Sequence, residues 1–228
     1  MAKAVSKKEK NQKTSDKVND FMQKNRKIIL IVVGIILLAA IGISVFALVK
    51  SSSSSKLLDE IYEIEYKYAN GASDADESAL LNLENEALDS LKPYLSKSGI
   101  TGVRANMLAA SISWQKSDFE TAASYYKTAY EVSKKSTYTR GINAYNAAVA
   151  FEEAGKNEEA LDFYQKAIDE KFEYSAHAYF NIGRIKEALS DSEGALAAYQ
   201  KVTDDYSSDN WALLAKSRIL SLNASSAE

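Results

Sequence analysis

The chain has 228 residues and a net charge of −3, with no cysteine, one histidine (His177), one proline and nine glycines. These counts exclude disulfides, thiolate metal sites, cysteine nucleophiles and any site that needs two histidines, and they favour long helices over turn-rich β-structure. The charge is uneven, because residues 1–27 carry nine basic and three acidic side chains whereas residues 51–228 carry 18 basic and 28 acidic ones. The acidic body argues against a nucleic-acid partner.

The N-terminal third contains one long apolar segment. Residues 1–27 form a polar, basic leader that we expect to be largely disordered. Residues 28–49 read IILIVVGIILLAAIGISVFALV and contain no charge. Because a helix needs about 20 apolar residues to cross the hydrocarbon core, this segment predicts a transmembrane helix embedded in the lipid bilayer. Residues 50–55, one lysine and five serines, are a short flexible tether.

The basic residues that flank the apolar segment predict its orientation. Nine precede it and three lie in residues 50–69, and such an excess marks the cytoplasmic side. We therefore expect a single-pass protein of the inner (plasma) membrane, with a cytoplasmic N-terminus and a periplasmic or extracellular C-terminal domain. A cleavable signal peptide is the alternative, but its apolar region would be about 7–15 residues long. An uncleaved signal anchor fits the longer segment better.

Three later segments align with one another at offsets of 38 and 35 residues. Each has a small residue, an aromatic four residues later, and a small or β-branched residue three further on. The triples are Ala122/Tyr126/Ala129, Ala160/Tyr164/Ala167 and Ala195/Tyr199/Val202, with a weaker fourth at Ala87/Leu91/Tyr94. A small residue lets two helices approach closely and the aromatic fills the groove to the next unit, so the units are expected to stack.

This spacing resembles the tetratricopeptide repeat, a helix–turn–helix unit of about 34 residues. The resemblance implies an all-α fold: a single transmembrane helix followed by a tetratricopeptide-like helical-hairpin solenoid. The solenoid would cover 56–205 in about four helix pairs, of which the first is degenerate. Residues 206–228 would form a capping helix and tail, with Trp211 packed on the preceding unit.

Two local signals refine these boundaries. Between the first two units, Gly99 is predicted to end one helix and Thr101 to cap the next. Pro93 falls inside a helical pattern, so we expect it either to kink that helix or to stand in the first turn of a shorter one.

The sequence predicts no enzyme, no cofactor and no metal site. Adjacent carboxylates such as Glu152 and Glu153 point about 100° apart on a helix and do not converge. In tetratricopeptide stacks the first helix of each unit lines a groove, and the resemblance therefore implies a protein-binding wall. Its predicted members are Arg104, Met107, Ser111, Trp114, Tyr145, Val149, Glu152, His177, Phe180 and Arg184. Aromatic and hydrogen-bonding groups suit an extended peptide or a partner helix, although the same residues could simply face solvent.

The full layout resembles the YfgM-type ancillary subunits of the SecYEG translocon: a basic leader, one signal anchor and an outer repeat domain. That resemblance implies a scaffold or co-chaperone at the cell envelope, beside the secretion translocon. Its partners would be membrane and periplasmic proteins, either the translocon or a chaperone that receives secreted chains. The alternatives are a structural self-assembly module of the envelope and an outer-membrane or lipoprotein assembly adaptor.

Overall fold

The computed structural model describes residues 24–26, 54–135, 137–171 and 173–225. The chain divides into two units, Met1–Ser53 and Ser54–Glu228. The predicted transmembrane segment 28–49 lies outside the described residues. Within the described ranges, no helix combines the length and apolar character needed to cross a bilayer.

The second unit is all-α over its described residues, as predicted, and it contains nine helices and no strand. Each helix packs against the next one along the chain, which produces successive antiparallel hairpins. The helices are α1 (54–72), α2 (Glu77–Leu95), α3 (Ile100–Gln115), α4 (Phe119–Val132), α5 (Tyr138–Glu153), α6 (Asn157–Asp169), α7 (Ser175–Ala188), α8 (Ser192–Asp205) and α9 (Asn210–Ser225).

The turns inside three hairpins have the same geometry. Ser117, Gly155 and Ser190 follow α3, α5 and α7 and have φ of 57°, 74° and 63°. In each turn the next residue's N–H donates to the carbonyl five residues earlier, over 2.8 to 2.9 Å. These bonds satisfy carbonyls at the helix end that have no intrahelical partner. The three hairpins therefore repeat at the same offsets of 38 and 35 residues as the sequence pattern.

The small residues of the repeat lie where the two helices of a hairpin cross. Ala122, Ala160 and Ala195 are each 0% exposed. In the last hairpin the partner helix approaches so closely that a Cβ built on Gly183 of α7 would lie 2.6 Å from the Tyr199 ring of α8. A side chain at position 183 would therefore require the Tyr199 ring to move.

The first pair, α1 and α2, packs in a different way. Its core uses larger aliphatic side chains, including Ile61 of α1, Leu91 of α2 and Ile112 of α3, all 0% exposed. Pro93 lies in the last turn of α2, which ends two residues later at Leu95. The aliphatic core of this first pair explains why the small-and-aromatic pattern fades before residue 103.

The start of α3 differs from the prediction. Gly99, not Thr101, is its N-cap, with φ of 70°, and no side chain caps the helix there. Because α3 begins at Ile100, Thr101 lies inside the first turn and is buried. The glycine is needed because this backbone conformation is strained for residues with a side chain.

Candidate functional site

The predicted wall residues lie on α3, α5 and α7, and none of them is fully buried. Nine are half-buried and Arg184 is exposed. The half-buried ones are Arg104, Met107, Ser111, Trp114, Tyr145, Val149, Glu152, His177 and Phe180. The structure divides them into four groups, of which three are engaged in contacts within the protein and one surrounds a pocket.

A polar network fills the space between α5, α6 and α7. Tyr164 of α6 donates its hydroxyl proton to Glu152 Oε2 over 3.1 Å, and Asn181 Nδ2 donates to the Tyr164 hydroxyl over 3.1 Å. Arg184 forms an ion pair with Glu152 Oε1 at 2.5 Å. Burial raises the pKa of Tyr164, so its hydroxyl stays protonated as a donor. We call Glu152, Tyr164, Asn181 and Arg184 the closed junction.

The aromatic residues beside the closed junction connect α5, α7 and α9. Asn181 Nδ2 donates to the Tyr145 hydroxyl over 3.3 Å, and a hydrogen bond of 2.6 Å joins that hydroxyl to His177 Nδ1. Trp211 of α9 stacks on the His177 ring at 3.8 Å between centroids and also contacts Phe180 at 4.9 Å. Three predicted wall residues therefore hold the capping helix in place.

The surroundings of these two groups shift their pKa values. Burial raises the pKa of Tyr145 to about 12. Burial, and then the nearby Arg184 guanidinium, lower the pKa of His177 below its ordinary value. Both shifts favour the neutral forms of the two side chains.

At the other end of the wall, Arg104 pairs with α1. Its guanidinium lies 2.5 Å from Glu65 Oε2 and 5.4 Å from the centre of the Tyr62 ring. Met107 lies on the same helix, one turn further on. Both arginines of the wall, Arg104 and Arg184, are thus neutralised by carboxylates of neighbouring helices.

The remaining predicted residues surround an open pocket of about 340 Å³ between α3, α4 and α5. Applying the repeat offsets shows that it occupies the place of the closed junction one hairpin earlier in the chain. The corresponding pairs are Trp114 and Glu152, Tyr126 and Tyr164, Asn146 and Asn181, and Val149 and Arg184. We call Trp114, Tyr126, Asn146 and Val149 the open junction. Ser111 and Gln115 complete the pocket lining.

The open junction keeps the tyrosine and the asparagine but lacks the charged pair. In the part of the chain that the structure describes, the side chains of Tyr126 and Asn146 make no hydrogen bond. Burial raises the pKa of Tyr126, so its hydroxyl is neutral. Gln115 accepts a hydrogen bond from the Tyr68 hydroxyl of α1 over 2.8 Å. Two neutral polar groups therefore line the pocket and remain available to a ligand.

Sequence reasoning identified Ser111, Trp114 and Val149 of this pocket but missed Tyr126, Asn146 and Gln115. Tyr126 was interpreted only as a packing residue. The missing signal was the repeat offset itself, which pairs Asn146 with Asn181 and shows that the charged partners are absent.

No three His, Asp or Glu side chains converge as a possible metal site in the described ranges. The wall has an open pocket in one part and internally satisfied polar groups in the other.

The fold and the repeated turns place the chain in one class, the helical-repeat proteins of tetratricopeptide type. The family described as tetratricopeptide repeat-like domain matches residues 19–224, and the chain belongs to this family. A TPR repeat-containing protein of Treponema pallidum (strain Nichols) is 29% identical over 163 residues, which cover 71% of this chain and 66% of that protein. The crystal structure of MamA is similar at 19% identity with a TM-score of 0.45, over 56% of this chain and 71% of that one.

Proposed function

We propose that this protein is a membrane-anchored, protein-binding scaffold or co-chaperone of the cell envelope that works beside the secretion translocon. The tetratricopeptide-type fold is consistent with a scaffold. The family match begins at residue 19, so it includes the apolar segment 28–49 together with the repeats. This continuity favours an anchor that stays attached to the repeat domain. The nine basic residues before the segment favour an outer location for that domain.

The observation that carries the binding role is the open junction. A tyrosine hydroxyl and an asparagine carboxamide line a pocket on the first-helix wall without partners among the described residues, while the same groups are satisfied in the closed junction. Half-buried polar groups beside an indole ring are the kind of anchor point that protein interfaces use.

Site-specific photo-crosslinking in membranes of the native host tests this role. A photoreactive amino acid replaces Met107, which lies on α3 but does not line the pocket, and in a second variant it replaces the exposed Lys127 of α4. We expect discrete crosslinked protein partners from position 107 and none of the same partners from position 127. Equal crosslinking from both positions, or none from 107, would contradict a binding role for the wall.

The structure changes which variants are informative for this role. The obvious choice, Tyr145 and Phe180 to alanine, removes side chains that support His177 and Trp211. Loss of crosslinks in that double variant would reflect a disturbed capping helix as well as a lost contact. Substitutions at the open junction avoid this difficulty.

Protease accessibility tests the membrane orientation. Protease added to spheroplasts is expected to degrade residues 51–228 and to leave the basic leader intact. Protection of the repeat domain in intact spheroplasts would contradict the proposed anchor and its orientation.

A further inference from the structure

We propose that the open junction binds an uncharged carboxamide side chain, Asn or Gln, carried by an extended segment of a partner protein. This inference rests on the proposed scaffold function and adds the chemistry of the residue that is recognised. It follows from three properties of the pocket: its shape, its charge and the groups that line it.

The closed junction shows what fits in this place. There, the guanidinium of Arg184 lies against Glu152 beside the Tyr164 hydroxyl and the Asn181 carboxamide. In the open junction the valine at position 149 is too short to reach this space, which is left as a pocket of about 340 Å³. A planar polar group from a partner protein would therefore occupy the position that the Arg184 guanidinium occupies one hairpin later in the chain.

The charge around the pocket favours a neutral group. Its six lining residues carry no ionised side chain. Lys116, which directly follows α3, is already paired with Glu84 at 3.6 Å, and Arg104 of α3 is paired with Glu65. A charged ligand group would lose its hydration without gaining a counter-charge, which is costly in a half-buried site.

The lining groups select for a carboxamide among the neutral side chains. The Tyr126 hydroxyl can donate to a carbonyl oxygen, and the Asn146 carboxamide can accept from an NH₂ group while it donates elsewhere. The Trp114 ring and the Val149 methyl groups supply apolar walls for the methylene groups of the ligand. Trp114 is held in orientation by an edge contact with Phe119, at 4.9 Å and 69°. A purely apolar side chain would leave the two polar groups without partners.

Fluorescence anisotropy with the full chain in lipid nanodiscs tests the inference. The probes are three fluorescein-labelled nonapeptides with blocked ends, built on one Ser- and Ala-based sequence and differing only in a central Gln, Glu or Leu. We expect the Gln peptide to bind about tenfold more tightly than either of the others, since two neutral hydrogen bonds distinguish it. Equal binding of the three peptides, tighter binding of the Glu or Leu peptide, or no binding of the Gln peptide overturns the inference.

Two matched variants locate the effect at the pocket. Tyr126→Phe removes only the free hydroxyl, so we expect it to weaken the Gln peptide about three- to tenfold and to leave the Leu peptide unchanged. Tyr164→Phe makes the same change at the closed junction and should leave Gln-peptide binding unchanged. A similar loss in both variants, or in neither, contradicts the assignment.

A filling variant separates this inference from the scaffold function. Val149→Arg introduces at the open junction the side chain that fills the closed one, and we expect it to abolish Gln-peptide binding. A cooperative thermal transition shows that the variant is folded. If it fails to fold, Asn146→Leu serves the same purpose and should weaken the Gln peptide about three- to tenfold. Crosslinks from position 107 that persist without any Gln preference would leave the scaffold standing and refute the carboxamide site.

Discussion

The open and closed junctions share one backbone geometry and differ in a few side chains. Both place a tyrosine of the second helix beside an asparagine of the next hairpin, and both follow a turn with the same hydrogen bonds. At the closed junction, Glu152 and Arg184 complete a network of hydrogen bonds and an ion pair. At the open junction, Trp114 and Val149 replace them, and the tyrosine and asparagine side chains make no hydrogen bond to any residue that the structure describes. The comparison teaches that a repeat can keep its packing while one copy lacks the internal polar contacts that the next copy makes.

The largest expected effect concerns packing, which the two hairpins share. Ala122 and Ala160 are both 0% exposed at the helix crossing. Changing either to leucine would overpack that crossing, so we expect each variant to lower the free energy of unfolding by about 1–3 kcal/mol. The exposed Ala197 of α8 is the control, and Ala197→Leu should change the free energy of unfolding little. Denaturant titrations of the full chain in detergent followed by circular dichroism give these values.

An unchanged unfolding free energy in Ala160→Leu would show that the repeat register is wrong. If only one of Ala122→Leu and Ala160→Leu lowers the free energy of unfolding, the two hairpins differ in packing as well as in polar contacts. That result would weaken the comparison.

Substitutions in the hairpin turns should have smaller effects: one is expected to lower the free energy of unfolding and two are expected to raise it. Gly155 has φ of 74° and nothing lies within 4 Å of a Cβ built on it, so Gly155→Ser costs only backbone strain, about 1 kcal/mol. Ser117 and Ser190 already have this strained conformation, with φ of 57° and 63°. Ser117→Gly and Ser190→Gly should each raise the unfolding free energy, by up to the same amount. Melting temperatures of the three variants provide the measurement, and a loss of stability in both glycine variants would refute the shared turn.

The smallest expected effect is a pH dependence of stability that arises from His177, which lies beside the closed junction. Burial lowers the folded pKa of His177 below its ordinary value of 6.5, whereas the unfolded chain keeps that value. The unfolded state therefore binds the proton more readily, and stability is constant above pH 6.5 and falls as the pH drops below it. Arg184 strengthens this shift, while Glu152 and Asp209 oppose it.

Thermal melts between about pH 7.5 and about pH 5.5 measure this effect, because ordinary carboxylates titrate below that window. His177 is the only histidine of the chain, so His177→Gln should abolish the decline in melting temperature over the window. A decline of the same size in that variant would assign it to another group.

The fold was predictable where the sequence repeats a packing rule. The triple Ala160/Tyr164/Ala167 predicted a buried helix crossing, and all three residues are buried because a small and a large residue must alternate there. Thr101 was predicted wrongly as a cap, since a capping residue and a first-turn residue have similar sequence preferences and the start of α3 depends on Gly99. The α1–α2 pair was less predictable because its aliphatic core carries no spacing rule.

The candidate site was only partly predictable. Trp114 and Val149 could be placed on the wall from helical periodicity, but periodicity does not show which wall residues contact one another. His177 and Phe180 lie on the same wall as Trp114 and Val149. Both of them, however, contact Trp211 of α9, which is more than 30 positions later in the chain. Whether a polar side chain on the wall is free depends on such distant contacts, which the structure supplies.

The central claim is that the hydroxyl of Tyr164 is satisfied within the protein and that of Tyr126 is not, and one measurement tests it directly. The unfolding free energies of Tyr126→Phe and Tyr164→Phe are compared with that of the unchanged full chain. Tyr164→Phe should lose about 1–2 kcal/mol, because Asn181 and Glu152 each lose a partner. Tyr126→Phe should have an unfolding free energy within about 0.5 kcal/mol of that of the unchanged chain, because the Tyr126 hydroxyl makes no hydrogen bond within the described part of the chain. Equal losses in the two variants, or a larger loss in Tyr126→Phe, would contradict the distinction between the open and closed junctions.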